Sequence, residues 1–186
     1  NFLRMMFQTA KQGYNLLENL MEWSRLQSGQ IQVYKRNIML QPLVVNQAKS
    51  LSYLKDDKKV EIDVRIPENL SVSADVNILK SVLTNMLSNA IKYSHKGQPV
   101  VVRSEEDASE VRVIIEDQGT GIEPKKLRQL LQGAPQHSTI GTNNEKGTGL
   151  GLMICKHLLD AHGSKITAES EPEKGSRFTF SIKKDE

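Results

Sequence analysis

The sequence predicts an α+β fold: a two-layer sandwich of a mixed, mostly antiparallel sheet with helices on one face, preceded by a long N-terminal helix. Three observations lead to this expectation: an unbroken helical periodicity at the N-terminus, short runs of alternating apolar residues, and four further segments of helical character among them. The 186 residues leave room for one ordinary domain plus an extra element. We therefore expect residues 1–29 to form the helix and residues 30–186 the sandwich.

The N-terminal helix is predicted from apolar and small residues that recur three and four positions apart, with no proline in residues 2–27. The residues of this seam are Leu3, Met6, Ala10, Gly13, Leu17, Leu20 and Ser24. Such a heptad seam is typical of a helix that packs lengthwise on another helix. A helix of this length spans about 40 Å, too long for one small globule to cover. The expected partner is a preceding segment or a second copy of the chain, and packing against the following domain stays open as an alternative.

The second part is predicted to mix helices and strands. Helices are expected over residues 42–54, 76–93, 124–132 and 150–161, and strands over residues 60–66, 71–73, 100–103, 111–116, 166–169 and 177–183. Asp75 is the predicted N-cap of the longest of these helices. The charged run from Lys55 to Lys59 is interpreted as solvated, and residues 133–149 are interpreted as a mobile loop.

Composition excludes several classes of protein. The formal net charge of +3 favours no particular partner, and the single Cys155 excludes an internal disulfide framework or a cysteine-rich zinc site and fits a reducing compartment. No run approaches 18 apolar residues, so no segment is predicted to span a bilayer. The chain opens without an initiator Met or a signal peptide, and we expect it to be a piece of a longer protein.

The first candidate cluster is the helical run that contains Asn85, Asn89, Lys92 and Tyr93. Two Asn residues four positions apart lie on one helical face, although Asn is a mediocre helix former. Amide oxygens ligate hard cations such as Mg²⁺, an ammonium neutralises phosphate, and a phenol ring stacks on a base. A polar stripe on a surface helix is the alternative explanation.

The second cluster is Asp117-Gln118-Gly119-Thr120-Gly121-Ile122, directly after an apolar strand. Glycines allow backbone to approach a flat or anionic ligand, and a carboxylate at the strand end accepts a hydrogen bond from an exocyclic amine. By itself the pattern also fits an ordinary strand-to-helix turn.

The third cluster is Gly147-Thr148-Gly149-Leu150-Gly151-Leu152, at the start of a helix. Backbone N–H groups at a helix N-terminus bind anions, so phosphate is the expected ligand. The run is not a Walker A loop, and it lacks the spacing and the preceding strand of a dinucleotide fingerprint.

Taken together and in this order, the three clusters resemble the N box and the two glycine boxes of the ATP-binding domain of sensor histidine kinases. This Bergerat-type domain belongs to the superfamily that includes DNA gyrase, heat-shock chaperones and mismatch-repair ATPases. The resemblance covers residues 31–183, and residues 20–25 look like part of the second helix of the kinase dimerisation domain.

The resemblance implies a role for each matching position. Asn89 would be the principal Mg²⁺ ligand with Asn85 beside it, Lys92 would contact the phosphates, and Tyr93 would pack near the adenine. Asp117 would bind the adenine amino group. The remaining ATP contacts would come from Gly119, Gly121 and Ile122 in the adenine pocket, from Gly147, Thr148, Gly149, Leu150 and Gly151 around the triphosphate, and from Thr179, which would assist Asp117 through a water.

One position favours phosphoryl transfer over hydrolysis. Hydrolysing members of the superfamily carry a Glu base four residues before the metal-binding Asn, and here that position is Asn85, whose amide is no useful base. The resemblance therefore implies a histidine kinase that transfers the γ-phosphoryl group of ATP to a His, for relay to an Asp of a response regulator. It also implies a homodimer through the N-terminal helix and a cytoplasmic location, with no nucleic acid and no membrane contact by this segment.

Two departures from the family pattern stand out. None of His95, His137, His157 and His162 fits the phosphoacceptor motif, so we expect the chain to bind ATP without phosphorylating itself. The four histidines are expected to be structural or surface residues. No Phe lies between Ile122 and Gly147, where the family has a Phe-rich box, and Leu127, Leu130 and Leu131 are the expected substitutes. The alternative function is a nucleotide-binding regulatory or scaffolding module without phosphotransfer.

Overall fold

The computed structural model describes residues 32–132, 140–143, 145 and 149–184, together with five separate residues near the N-terminus. The chain divides into two compact units, Asn1–Gln32 and Val33–Glu186. In the first unit the described residues before Gln32 are helical and exposed, namely Met6, Ala10, Gly13, Leu17 and Met21. The remainder of the predicted N-terminal helix lies outside the described residues, so its full length and its partner stay predictions.

The second unit contains five helices and seven strands within the described residues. In chain order they are β1 (Arg36–Met39), α1 (Leu40–Ser50), α2 (Ser52–Lys58), β2 (Ile62–Arg65), β3 (Ser71–Ala74), α3 (Val76–Tyr93), β4 (Val100–Glu106), β5 (Glu110–Asp117), α4 (Pro124–Leu131), α5 (Gly151–His162), β6 (Ile166–Glu171) and β7 (Gly175–Lys183). One sheet has the order β2-β4-β5-β7-β6, and β1 pairs with β3 in a second, two-stranded sheet. Among the strands that the structure describes, only the β2–β4 pair is parallel, so the predicted mixed, mostly antiparallel sheet is confirmed.

Helix α3 is the central element of the helical layer. It contacts β4, β5 and β7 on one side and α1, α2 and α5 on others. Its apolar residues recur at helical spacing and are buried, and they are Ile78, Leu79, Val82, Leu83, Met86, Leu87, Ala90 and Ile91. Because these residues are buried, Asn85 and Asn89 face away from the core. Both side chains are half-buried. The predicted α/β sandwich thus presents the polar stripe of α3 at the edge of its core.

The N-terminus of α3 is closed by side chains from two parts of the chain. Asp75 caps the helix as predicted, because its Oδ1 accepts the N–H groups of Asn77 and Ile78 at 2.9 and 3.3 Å. His162 Nε2 accepts the N–H of Asp75 at 3.1 Å, and its Nδ1 lies 3.1 Å from Ser164 Oγ. His162 is therefore a buried structural residue, as expected.

The other histidines differ in position. His95 and His157 are exposed, and His157 Nδ1 lies 2.9 Å from the carbonyl oxygen of Met153 on its own helix. His137 lies outside the described residues. The described histidines thus agree with the expectation of structural or surface roles.

Three local expectations need correction. Helix α1 begins at Leu40, two residues before the predicted start, because Pro42 fits the first turn, where N–H groups have no intrahelical partner. The predicted helix over residues 42–54 is interrupted at Leu51 into α1 and α2. The predicted solvated charged run is wrong for Lys58, which is 2% exposed.

Within the described part of the chain, no helix combines the length and apolar character needed to cross a membrane.

Candidate functional site

The polar face of α3 forms one wall of the candidate site. Asn85 Nδ2 donates a hydrogen bond to the carbonyl of Ser81 at 3.0 Å, which leaves its Oδ1 directed toward the start of α5. A Cβ added at Gly151 would lie only 2.9 Å from that oxygen, so the first residue of α5 packs closely on Asn85. Asn89 follows one turn later on the same face and is half-buried. Asn85 and the start of α5 are therefore neighbours, and Asn89 lies one turn further along the same face of α3.

Lys92 and Tyr93 stand at the last turn of α3. The Lys92 ammonium donates to the Tyr93 hydroxyl at 3.0 Å and lies 4.7 Å from the centre of the Tyr93 ring. Lys92 is largely buried, whereas Tyr93 is half-buried. A cation and an aromatic ring thus lie side by side, one helical turn beyond Asn89.

Asp117 is a buried carboxylate at the end of β5. It is 8% exposed, and its Oδ1 accepts the N–H of Gly119 at 3.0 Å. Burial raises the pKa of Asp117 to about 6, although hydrogen bonds from Gly119 and Ser176 and the charge of Lys58 oppose that rise. Above this pKa the site holds a desolvated negative charge, which favours a ligand that donates a hydrogen bond.

The loop after Asp117 is fastened on both sides by backbone contacts. Gly119 passes so close to α3 that an added Cβ would lie 2.0 Å from the Tyr93 carbonyl oxygen. Gly121 has a φ of +64°, and a Cβ there would lie 2.0 Å from the carbonyl oxygen of Glu171. Ile122 donates its N–H to Ser170 Oγ at 2.8 Å. The sequence-predicted residues of this loop therefore stand between the end of α3 and the β6–β7 hairpin.

The third predicted cluster is described only in part. Gly147 and Thr148 lie outside the described residues, whereas Gly149, Leu150 and Gly151 are described. The carbonyl of Leu150 accepts the N–H of Ile154 at 2.9 Å, so helical bonding begins here. The N–H groups of this first turn have no intrahelical acceptor, which makes the start of α5 a favourable position for an anion.

Ser176, which sequence reasoning missed, holds the position predicted for Thr179. The β5–β7 register pairs Ser176 with Asp117 and Thr179 with Ile114. Thr179 is therefore three residues away along β7 and on the opposite face of the sheet, because side chains alternate along a strand. Ser176 bonds to Asp117 through both its backbone and its hydroxyl. The expected assistance of Asp117 by Thr179 does not agree with this register.

Lys58 is a second residue that sequence reasoning missed. Its ammonium donates to the carbonyl oxygen of Ile91 at 2.7 Å and to that of Lys92, and it pairs with Glu145 Oε1 at 3.0 Å. No local signal in the run Lys55–Lys59 separates this lysine from its neighbours, since its burial depends on contacts 33 and 34 residues away.

The leucines expected to replace the Phe-rich box lie on α4. Leu127, Leu130 and Leu131 are half-buried, and α4 contacts α5 and β6. Their role as a substitute for that box stays a prediction.

This chain is similar to proteins of known family. Residues 74–186 match the family described as histidine kinase-, DNA gyrase B-, and HSP90-like ATPase. The sensor protein KdpD of Clostridium acetobutylicum is 33% identical over 173 residues, which cover 91% of this chain and 19% of KdpD.

Solved structures show the same fold. The catalytic domain of the histidine kinase ThkA is 28% identical with a TM-score of 0.70, over 81% of this chain and 98% of that domain. Full-length ShkA in complex with AMPPNP is 21% identical with a TM-score of 0.79, over 96% of this chain and 37% of ShkA. The chain spans about a fifth of the length of KdpD, the curated relative that matches most of this chain. The chain belongs to the histidine kinase-, DNA gyrase B-, and HSP90-like ATPase family, and its domain is homologous to the catalytic domains of sensor histidine kinases.

Proposed function

We propose that this chain is the ATP-binding catalytic domain of a two-component sensor histidine kinase. One observation carries the proposal: the amides of α3, the Lys92 ammonium, the Asp117 loop and the start of α5 all meet along a single helix. A base-recognising carboxylate at one end and an anion-binding helix start at the other match the two ends of a nucleotide.

The adenine end of the proposed site is formed around Asp117. Its buried carboxylate accepts a hydrogen bond from the exocyclic amine of adenine, and Ser176 holds the carboxylate in place. Tyr93, Gly119, Gly121 and Ile122 line the pocket. Guanine presents a carbonyl oxygen where adenine presents its amine, and an ionised carboxylate repels that oxygen. The site therefore selects adenine over guanine.

The phosphate end is formed by Lys92 and the run Gly147, Thr148, Gly149, Leu150 and Gly151. Asn89 and Asn85 offer two amide oxygens on one helical face, which fits Mg²⁺, an ion that keeps several waters and shares phosphate oxygens. When bound, Mg²⁺ supplies charge neutralisation for the transferring phosphoryl group. The Lys92 ammonium adds a positive charge on the same side.

The proposed reaction is phosphoryl transfer to a histidine on another segment. Asn85 stands where a water-activating carboxylate would be required, and an amide accepts no proton near neutral pH. The acceptor is a His of a dimerisation segment in the longer protein, and the phosphoryl group passes on to an Asp of a response-regulator receiver domain. In this proposal the protein is a homodimer through its N-terminal helix, and this domain lies in the cytoplasm.

The experiment that tests the proposal is a complementation assay with radiolabelled ATP and Mg²⁺. The chain alone is expected to remain unlabelled, whereas a separate His-bearing dimerisation segment is expected to become labelled when it is added. The variant Asn89→Ala should abolish this labelling, and Asn37→Ala, on a strand outside the site, should leave it unchanged. Binding of ATP without labelling of the added segment would instead favour a regulatory or scaffolding module.

A further inference from the structure

We propose that Lys58, Thr142 and Glu145 are positioning residues of this site, which fasten residues 140–143 and 145 to the C-terminal turn of α3. This inference rests on the proposed function, because it concerns the segment that leads into the glycine run at Gly147–Gly151. None of the three residues belongs to the predicted ATP contacts, and their arrangement is visible only in the folded chain.

The C-terminal carbonyls of α3 are capped by distant segments. Helix ends leave carbonyl oxygens without intrahelical partners and carry a partial negative charge. Lys58 donates to the carbonyls of Ile91 and Lys92. Thr142 donates its N–H to the Lys92 carbonyl at 3.2 Å and its hydroxyl to the Ser94 carbonyl at 2.6 Å. One end of α3 is therefore shared between α2 and the segment 140–145.

Glu145 joins these two elements directly. Its Oε1 lies 3.0 Å from the buried Lys58 ammonium, and its Oε2 accepts the N–H of Asn143 at 2.7 Å. Its backbone carbonyl accepts the N–H of Gly141 at 2.9 Å, which closes the segment into a turn. Lys58 is only 2% exposed, so its ammonium needs a counter-charge, and Glu145 supplies one at 3.0 Å. The ion pair thus holds the turn against the helix.

The backbone of the turn at Gly141 lies in close contact with Lys92 of α3. Gly141 is buried, and an added Cβ would lie 2.6 Å from Lys92 Cγ and 2.8 Å from the Lys92 carbonyl oxygen. Gly151, the last residue of the glycine run, packs on Asn85 of the same helix. Two described points of the chain, Gly141 before the run and Gly151 at its end, therefore lie against α3, the first beside Lys92 and the second beside Asn85. Holding the chain at these two points lowers the entropy cost of ordering the residues between them around a ligand.

Amide hydrogen exchange in the absence of nucleotide tests the fastening directly. Glu145→Gln removes the charge and keeps the shape, and the diagnostic group is the Thr142 N–H, which bonds to Lys92 and not to Glu145. We expect exchange at Thr142 to become about tenfold faster, which corresponds to losing one charge-assisted contact. The matched control is Glu106→Gln, which removes the 2.8 Å pair with Lys184 at the far end of β4. A change confined to Asn143, with Thr142 unaffected, would overturn the proposal.

Gly141→Ala supplies a second, steric variant that leaves every charge in place. Its added methyl group would lie 2.5 Å from Glu145 Oε2 and 2.6 Å from Lys92 Cγ, so it should displace both the Glu145 carboxylate and the turn and accelerate Thr142 exchange, as Glu145→Gln does. Unchanged exchange in this variant would also overturn the fastening.

Nucleotide binding tests the positioning role and separates it from the proposed function. In calorimetric titrations with an ATP analogue and Mg²⁺, Glu145→Gln should weaken binding about tenfold, whereas Glu106→Gln should match the unmodified chain. Equal affinity of Glu145→Gln and the unmodified chain would overturn the positioning role. Failure of the unmodified chain to bind would instead overturn the proposed function, while the exchange result on Thr142 would still decide the fastening.

Discussion

The two ends of α3 are stabilised in different ways. The N-terminal end is closed by Asp75, a neighbour in sequence, with His162 behind it. The C-terminal end is closed by Lys58, Thr120 and Thr142, which come from three separate segments. The first end therefore contributes to the stability of the fold, whereas the second contacts the loops that form the proposed ATP site. Changes at the two ends should consequently separate stability from nucleotide binding.

The largest expected effect is at the C-terminal end, for Asp117→Asn. The substitution replaces the proposed acceptor for the adenine amine with an amide of ambiguous orientation, so ATP affinity should fall by about a hundredfold or more in calorimetry. The free energy of unfolding at pH 7.5 should not fall, because the substitution removes the desolvation cost of a buried negative charge. The control is Glu116→Gln, one residue earlier on the opposite face, where the carboxylate pairs with Arg103 and Arg177. Tight binding by Asp117→Asn would contradict the assignment.

The pH dependence of binding gives the next largest effect. Since the pKa of Asp117 is raised to about 6, the carboxylate is ionised at pH 7.5 and mostly protonated at pH 5. ATP affinity should therefore fall about tenfold between these two pH values, following the ionised fraction. The stability contribution has the opposite sign: it is present below pH 3.8 and is lost as the pH rises through 6. Titrations across this range check the prediction, and a binding constant that is flat between pH 5 and 7.5 would contradict it.

At the N-terminal end, Asp75→Ala should affect stability and leave binding intact. The substitution removes the cap bonds to Asn77 and Ile78 and the bond from the Tyr34 N–H, so the free energy of unfolding should fall by about 1–2 kcal/mol. The ATP affinity of the folded variant, measured well below its melting temperature, should equal that of the unmodified chain. A loss of affinity comparable to that of Asp117→Asn would erase the distinction between the two ends.

The smallest expected effect concerns His162. Burial lowers its pKa, aided by the charge of Lys35 and opposed by Asp75. The neutral ring accepts the Asp75 N–H, so the unfolded state binds the proton more readily, and stability should decline as the pH falls below 6.5. In denaturant unfolding, His162→Gln should lose this dependence while keeping an acceptor for the Asp75 N–H. A pH profile identical to that of the unmodified chain would show that His162 is not its source.

The same contrast between the two ends of α3 explains which features could be predicted from the sequence. Asp75 and the apolar spacing of α3 are local signals, so the cap and the helix were predicted at the residues where the structure has them. Asp117 was found from a local motif as well. The choice of Ser176 instead of Thr179 depends on the register between β5 and β7, which no short pattern encodes. The burial of Lys58 depends on the meeting of α2, α3 and residue 145, three segments distant in sequence. Local chemistry is thus predictable, and contacts made by tertiary packing are not.

The central claim is that an adenine nucleotide with Mg²⁺ binds along α3, with its base at Asp117 and its phosphates at the start of α5. The most direct test is to titrate an ATP analogue and Mg²⁺ into the isotopically labelled chain and follow the backbone amide resonances. The account predicts shifts concentrated in residues 85–93, 117–122 and 149–151, with much weaker shifts for the guanine analogue. Saturable shifts located elsewhere, or equal responses to both bases, would contradict it.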